Sequence, residues 1–115
     1  MKDNALITIS RQFAVDIIKL CTEIKENRKG NILVNQLLRS GTSIGANIAE
    51  AIYGSSRRDF VAKLQIAKKE AAETLYWLEL LNSCNYIPDD IYLSVHNDCR
   101  ELLLMLTSTI KSTSE

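Results

Sequence analysis

The chain has 115 residues, 46% hydrophobic and 24% charged, with four glycines and one proline, a composition that excludes a disordered or fibrous protein and predicts one helical domain spanning residues 1–115. Lys and Arg together number 14, as do Asp and Glu, so the net charge is zero. No apolar run approaches the roughly 20 residues that cross a bilayer, and the start Met1-Lys2-Asp3-Asn4 lacks the parts of a signal peptide, so a cytoplasmic protein with no membrane contact is expected.

Leu6, Ile9, Phe13, Ile17, Leu20 and Ile24 recur at steps of three and four, which places them on one face of a helix over about residues 5–28. Arg28 and Lys29 suit the negative end of a helix dipole, and Gly30 can take the left-handed conformation that closes a helix. Asn31 is then a candidate N-cap. So short a connection makes the first two helices antiparallel neighbours.

The second helix is predicted over about residues 32–53. Leu33, Leu37, Gly41, Ile44, Ile48 and Ala51 form one stripe, and Val34, Leu38, Gly45, Ala49 and Ile52 form another beside it. A third row, Ser40, Ser43, Asn47 and Glu50, is small or polar. A helix apolar over most of its circumference needs cover on several sides, from a central position or from another subunit. Gly41 and Gly45 each cost about 1 kcal/mol against Ala in a helix interior, so they point to close backbone approach.

Gly54 and Ser55 end that helix, and Ser56 followed by Asp59 resembles a capping box opening the next. Phe60, Leu64, Ala67, Ala71, Thr74, Leu78 and Leu81 describe a third helix over about 57–85, with Asn85 suited to a left-handed terminus. Pro88 fits a first helical turn, with Asp89 and Asp90 favourable at the N-terminal dipole. The fourth helix, about 88–111, turns Tyr92, Val95, Cys99, Leu102, Leu106 and Ile110 inward, and the tail after it is expected to fray. Four helices of about 22 residues, each about 33 Å long and joined by short loops, predict an all-α, antiparallel up-down-up-down four-helix bundle.

Enzyme chemistry is poorly represented. The single histidine, His96, lies three residues before Cys99, but a nucleophilic site needs a third group and an oxyanion hole, and a metal site needs three or four ligands. One histidine cannot supply the paired Glu-x-x-His motifs of a di-iron bundle, and no G-K-[ST] follows the helix-two glycines. No catalytic residue, metal or cofactor is therefore expected. Cys21, Cys84 and Cys99 are odd in number and lack C-x-x-C spacing, which fits reduced thiols.

Contact chemistry remains. Residues 1–69 hold 12 Lys and Arg against 6 Asp and Glu, and residues 70–115 hold 2 against 8. Such an asymmetry marks either a basic contact surface or antiparallel helices whose charges complement one another. Arg57, Arg58, Lys68 and Lys69 fall on adjoining rows of helix three, while Lys63 is spaced to pair with Asp59. Four cations on one side suit sequence-independent contacts to phosphates, unless they are a solvated face partly paired through Lys69 and Glu73. Asn47 and Glu50 need partners if helix two is enclosed, with Arg39, Arg57 or a neighbouring subunit as candidates, and they read as a polar pair that fixes register or assembly. Trp77, in a row with Glu70, Glu73 and Cys84, suits peripheral packing or a subunit contact.

The sequence Arg39-Ser40, Ser43-Ile44, Asn47-Ile48-Ala49-Glu50, then Asp59-Phe60, Ile66-Ala67 and Glu73, resembles the small bacterial four-helix-bundle family encoded in intervening sequences of 23S ribosomal RNA genes. The resemblance spans about residues 10–111 and is most specific in helix two. It implies a homopentamer of side-by-side protomers, and a related branch, the accessory proteins of diversity-generating retroelements, binds nucleic acid and a reverse transcriptase. Ala51 stands where a glycine is common, Gly54 where an arginine is often found, and Lys69-Glu70 in place of a Gly-Ser pair. The resulting expectation is a non-enzymatic oligomeric scaffold. Arg39, Ser40, Gly41, Ser43, Gly45, Asn47, Glu50, Glu73 and Trp77 are its assembly residues. Arg57, Arg58, Lys68 and Lys69 are its contacts to RNA or to a nucleic-acid-processing partner. A protein–protein adaptor that binds no nucleic acid is the alternative.

Overall fold

The structure is a computed structural model that describes residues 2–27 and 31–114, with side-chain surroundings described from Ala5 and, after the first connection, from Ile32. The helices are α1 (Lys2–Glu26), α2 (Asn31–Ile52), α3 (Arg57–Ser83) and α4 (Asp89–Ser114). They pack in the order α1, α2, α3, α4 around an elongated bundle of 45 × 20 × 19 Å, with no contact across either diagonal among the described residues. This is the predicted antiparallel arrangement: each turn is too short to do more than reverse the chain.

All four helices feed one core. Leu6, Phe13, Ile17, Leu37, Ile44, Ile48, Leu64, Leu78, Leu81, Leu102 and Leu106 are buried within it. Two positions in α1 depart from the sequence pattern. Ile9, expected inside, is 40% exposed, and Ser10 is buried. Ser10 fits because Gly45 of α2 lies over it: a Cβ at Gly45 would sit 3.4 Å from the Ser10 carbonyl oxygen. Ile9 is left out because it faces α4, which stands off from α1.

The turns follow local chemistry. Ser56, extended at φ −154° and ψ 167°, caps α3 by accepting from the Asp59 backbone N–H at 3.1 Å. Asp59 does not complete the reciprocal box; its carboxylate takes the Ser55 hydroxyl. Asn85 adopts φ 64°, the left-handed conformation expected of it. Pro88 sits just before α4 instead of within its first turn, its carbonyl accepting from the Tyr92 N–H at 2.9 Å, and Asn82 donates to Asp89 at 2.8 Å to tie that turn to α3. α4 continues to Ser114, three residues past its predicted end at 111. The proposed closure of α1 by Arg28, Lys29 and Gly30 lies outside the described residues. No helix among the described residues is long and apolar enough to cross a membrane.

Candidate nucleic-acid interface

The small residues of α2 are used first within the chain. A Cβ at Gly41 would meet Ile17 Cγ2 at 2.9 Å and Cγ1 at 3.0 Å, so this glycine lets α1 and α2 come together over a buried, β-branched and therefore stiff side chain. Ser40, fully buried on the opposite flank, shares a 2.9 Å hydrogen bond with the Thr74 hydroxyl of α3, which also lies 2.7 Å from the Glu70 carbonyl. The seam between α2 and α3 thus carries a satisfied polar contact inside an apolar wall.

Around its rim run the charges. Arg39 reaches across to both Glu70 and Glu73, and Glu73 also accepts the Trp77 indole N–H at 2.9 Å. Glu50 pairs with Lys63 at 2.8 Å. Three sequence expectations are corrected here. Lys63 bonds Glu50 across the seam and not Asp59 along its own helix. Glu73 is drawn to Arg39 and Trp77 instead of Lys69. Asn47 and Glu50 are not a joint polar pair, because Asn47 bonds the Ser43 carbonyl at 2.9 Å and its hydroxyl at 3.2 Å, while the Glu50 side chain is 58% exposed. Both charges on α2 are therefore turned toward α3.

Each carboxylate on α3 has a polar neighbour, and Glu70 and Glu73 meet a fixed cation. Asp59 is held by Ser55 and Ser56, Glu70 and Glu73 by Arg39, and Glu79 lies 3.4 Å from the His96 ring. The Ser55 hydroxyl, ahead of the cost of partial desolvation, holds the Asp59 carboxyl below its usual range, with Ser56, the Ser55 backbone and the Arg58 charge adding to the effect. Arg57, Arg58, Lys68 and Lys69 make no salt bridge among the described residues. Arg57, Arg58 and Lys69 are exposed and Lys68 is half-buried at the foot of its side chain.

Helical geometry sets these four into two rows. At about 100° per residue, an 11-residue step returns to within about 20° of the same direction, so Arg57 aligns with Lys68 and Arg58 with Lys69, each pair about 16 Å apart along the axis. The Arg58–Lys69 row points straight away from the buried line Leu64, Ala67, Ala71 and Leu78. Chemically these are two rows of positive charge about 100° apart around α3. No group of three or more His, Cys, Asp or Glu among the described residues is placed to hold a metal ion. Cys21 and Cys99 are buried, with burial raising their thiols to about 11 and about 12.

The model of the 23S rRNA-intervening sequence protein family matches residues 2–108. The chain belongs to that family. It is also similar to the 1.70 Å crystal structure of a protein of unknown function from the S23 ribosomal protein family of Bacteroides thetaiotaomicron VPI-5482. The TM-score is 0.93 at 50% identity, over 96% of this chain and 99% of that one. No curated protein matches it. The family resemblance read from Arg39 through Glu50 is thereby established, and so is the four-helix architecture.

Three contacts of this family member escaped the sequence reading: Glu70 as a partner of Arg39, Lys63 as the partner of Glu50, and the exposed Tyr76 beside Trp77. The first two join residues 31 and 13 positions apart, a register that periodicity within either helix does not contain. Tyr76 was legible in principle, since seven residues separate it from Lys69 on the same row.

Proposed function

We propose that this chain is a non-enzymatic, cytoplasmic scaffold that assembles into an oligomer and holds RNA phosphates on the outward face of α3. The observation that carries the RNA reading is the pairing ledger of α3. Glu70, Glu73 and Lys63 are matched across the seam to α2, while Arg57, Arg58, Lys68 and Lys69 make no salt bridge among the described residues and fall in two aligned rows. Unopposed cations at fixed spacing neutralise a phosphate backbone without reading its sequence. The three free cysteines suit a reducing compartment.

Assembly is supported by α2. Its two charges are paired with α3, so the rest of its outer surface, including Thr42, Ala46 and Ala49, carries no charge, and the 89% exposed Tyr53 follows just past its end. A surface depleted of charge in this way resembles the centre of a subunit interface more than a solvated face. A pentamer is the count implied by the family resemblance. Light scattering tests assembly directly: a stable 13.0 kDa monomer at micromolar concentration refutes it.

RNA binding is tested by titrating a structured RNA at several salt concentrations. The expected affinity falls on log–log axes by roughly 0.7–0.9 per phosphate neutralised, and Arg58→Glu with Lys69→Glu removes most of it. Binding that ignores salt, or none at low salt, overturns the RNA reading and favours a protein adaptor, which a pull-down performed with nuclease present would then recover.

A further inference from the structure

We infer that the α3 face takes a single-stranded stretch of RNA, with Tyr76 stacking on one base while Lys69 and Arg58, about 10 and about 27 Å away along the helix, hold phosphates further along the strand; this rests on the RNA reading above. Tyr76 lies 18 residues from Arg58, about five full turns, and seven from Lys69, about two, so the three side chains stand in one line on the outer row. Tyr76 is 55% exposed and has an aromatic neighbour. Its ring packs against that of Trp77 with centroids 5.2 Å apart and planes at 61°. Trp77 is in turn anchored through its N–H to Glu73, which Arg39 holds from α2. An exposed aromatic ring supported at its side by a second, hydrogen-bonded ring presents a stacking surface to a base.

The strand preference follows from what stacking requires. A base in a duplex has both faces covered by its neighbours, so a protein ring reaches it only where the strand is unpaired or splayed. Cations alone serve either form, whereas cations in line with an aromatic platform favour the unpaired one.

The test compares a 12-nucleotide single-stranded RNA and a 12-base-pair RNA duplex against four proteins: the unaltered chain, Tyr76→Ala, Tyr76→Phe, and Arg58→Glu with Lys69→Glu. Tyr76→Ala is expected to weaken single-strand binding by about 5- to 150-fold, the loss of one stacked base, and to leave duplex binding unchanged. Tyr76→Phe should retain the single-strand affinity, and the charge variant should weaken both RNAs. If Tyr76→Ala binds the single strand as well as the unaltered chain while the charge variant does not, the stacking inference falls and the electrostatic reading stands. If neither RNA binds at low salt, both fall. Because Tyr76 is on the surface, unchanged helicity and melting temperature verify that the variants are folded.

Discussion

The seam between α2 and α3 and the seam between α1 and α4 join neighbours in the same bundle, yet they are built differently. The first is closed by the Ser40–Thr74 hydrogen bond inside and by Arg39, Glu70, Glu73, Glu50 and Lys63 at the rim. The second touches over much less of its length and leaves a groove of about 540 Å³ floored by Ile9, Phe13 and Met105. Carboxylates line it from both sides, Asp16 from α1 and Asp98 and Glu101 from α4. Desolvation first, then repulsion from Asp16 and Glu101, raises the Asp98 pKa above the usual carboxylate value. Opposite charges let one pair of helices close, and like charges help keep the other apart.

The largest test of this contrast is a pair of truncations. Leu37→Ala, at a fully buried position on α2, is expected to cost about 2–5 kcal/mol, while Ile9→Ala, at the half-open seam, costs less than about 1 kcal/mol. Denaturant melts measure both, and equal losses would break the comparison.

Next comes Gly41→Ala. Helix propensity favours alanine by about 1 kcal/mol, but the new methyl collides with the stiff Ile17 side chain, and overpacking of this kind costs about 1–3 kcal/mol. A net loss in thermal melts is expected, and because Ile17→Ala removes both the Cγ1 and Cγ2 atoms that the methyl meets, the double variant should lose less than the sum of the two single losses. Thr74→Val probes the polar contact of the closed seam. Removing that hydroxyl leaves buried Ser40 with only the Leu37 carbonyl at 3.5 Å, a loss of about 1–2 kcal/mol by the same melts.

The smallest effect belongs to the acidic seam. A carboxyl whose folded pKa is raised binds its proton more tightly in the folded state. Its contribution to stability is therefore full below the unfolded value near 3.8 and is lost as pH rises through the folded value. Asp98→Asn should raise stability at neutral pH by less than about 0.5 kcal/mol and flatten this part of the pH profile. Asp59, with a lowered pKa, has the opposite sign: its contribution is present above its unfolded value and is lost as pH falls through the folded one. A melting series from pH 3 to pH 7 on both Asn variants separates the two.

Much of the bundle was legible because helical periodicity is a local property. The α3 row from Leu64 to Leu81 and the α4 row Cys99, Leu102, Leu106 and Ile110 are buried as spacing predicts. Ile9 misled because it belongs to the same arc by period, and only the separation of α4 from α1 decides that this edge of the arc stays open. The candidate site was half legible. The four cations could be counted and placed on rows, but whether they were free depended on where Glu73, Glu70 and Asp59 turned. Asn47 and Glu50 looked like one pair because they are close in sequence, and the structure sends one into its own helix and the other across to Lys63.

The sequence by itself determined four helices, their order, most of their buried rows and the family, since these follow from residue type and from spacings of three and four along one chain. The tertiary structure alone decided which charges cancel. An ion pair depends on the rotation and register of two packed helices, here α2 and α3 meeting at the buried Ser40–Thr74 contact, which no single helix encodes. That choice turned the charges of α2 toward α3 and left the basic rows of α3 without a salt bridge among the described residues.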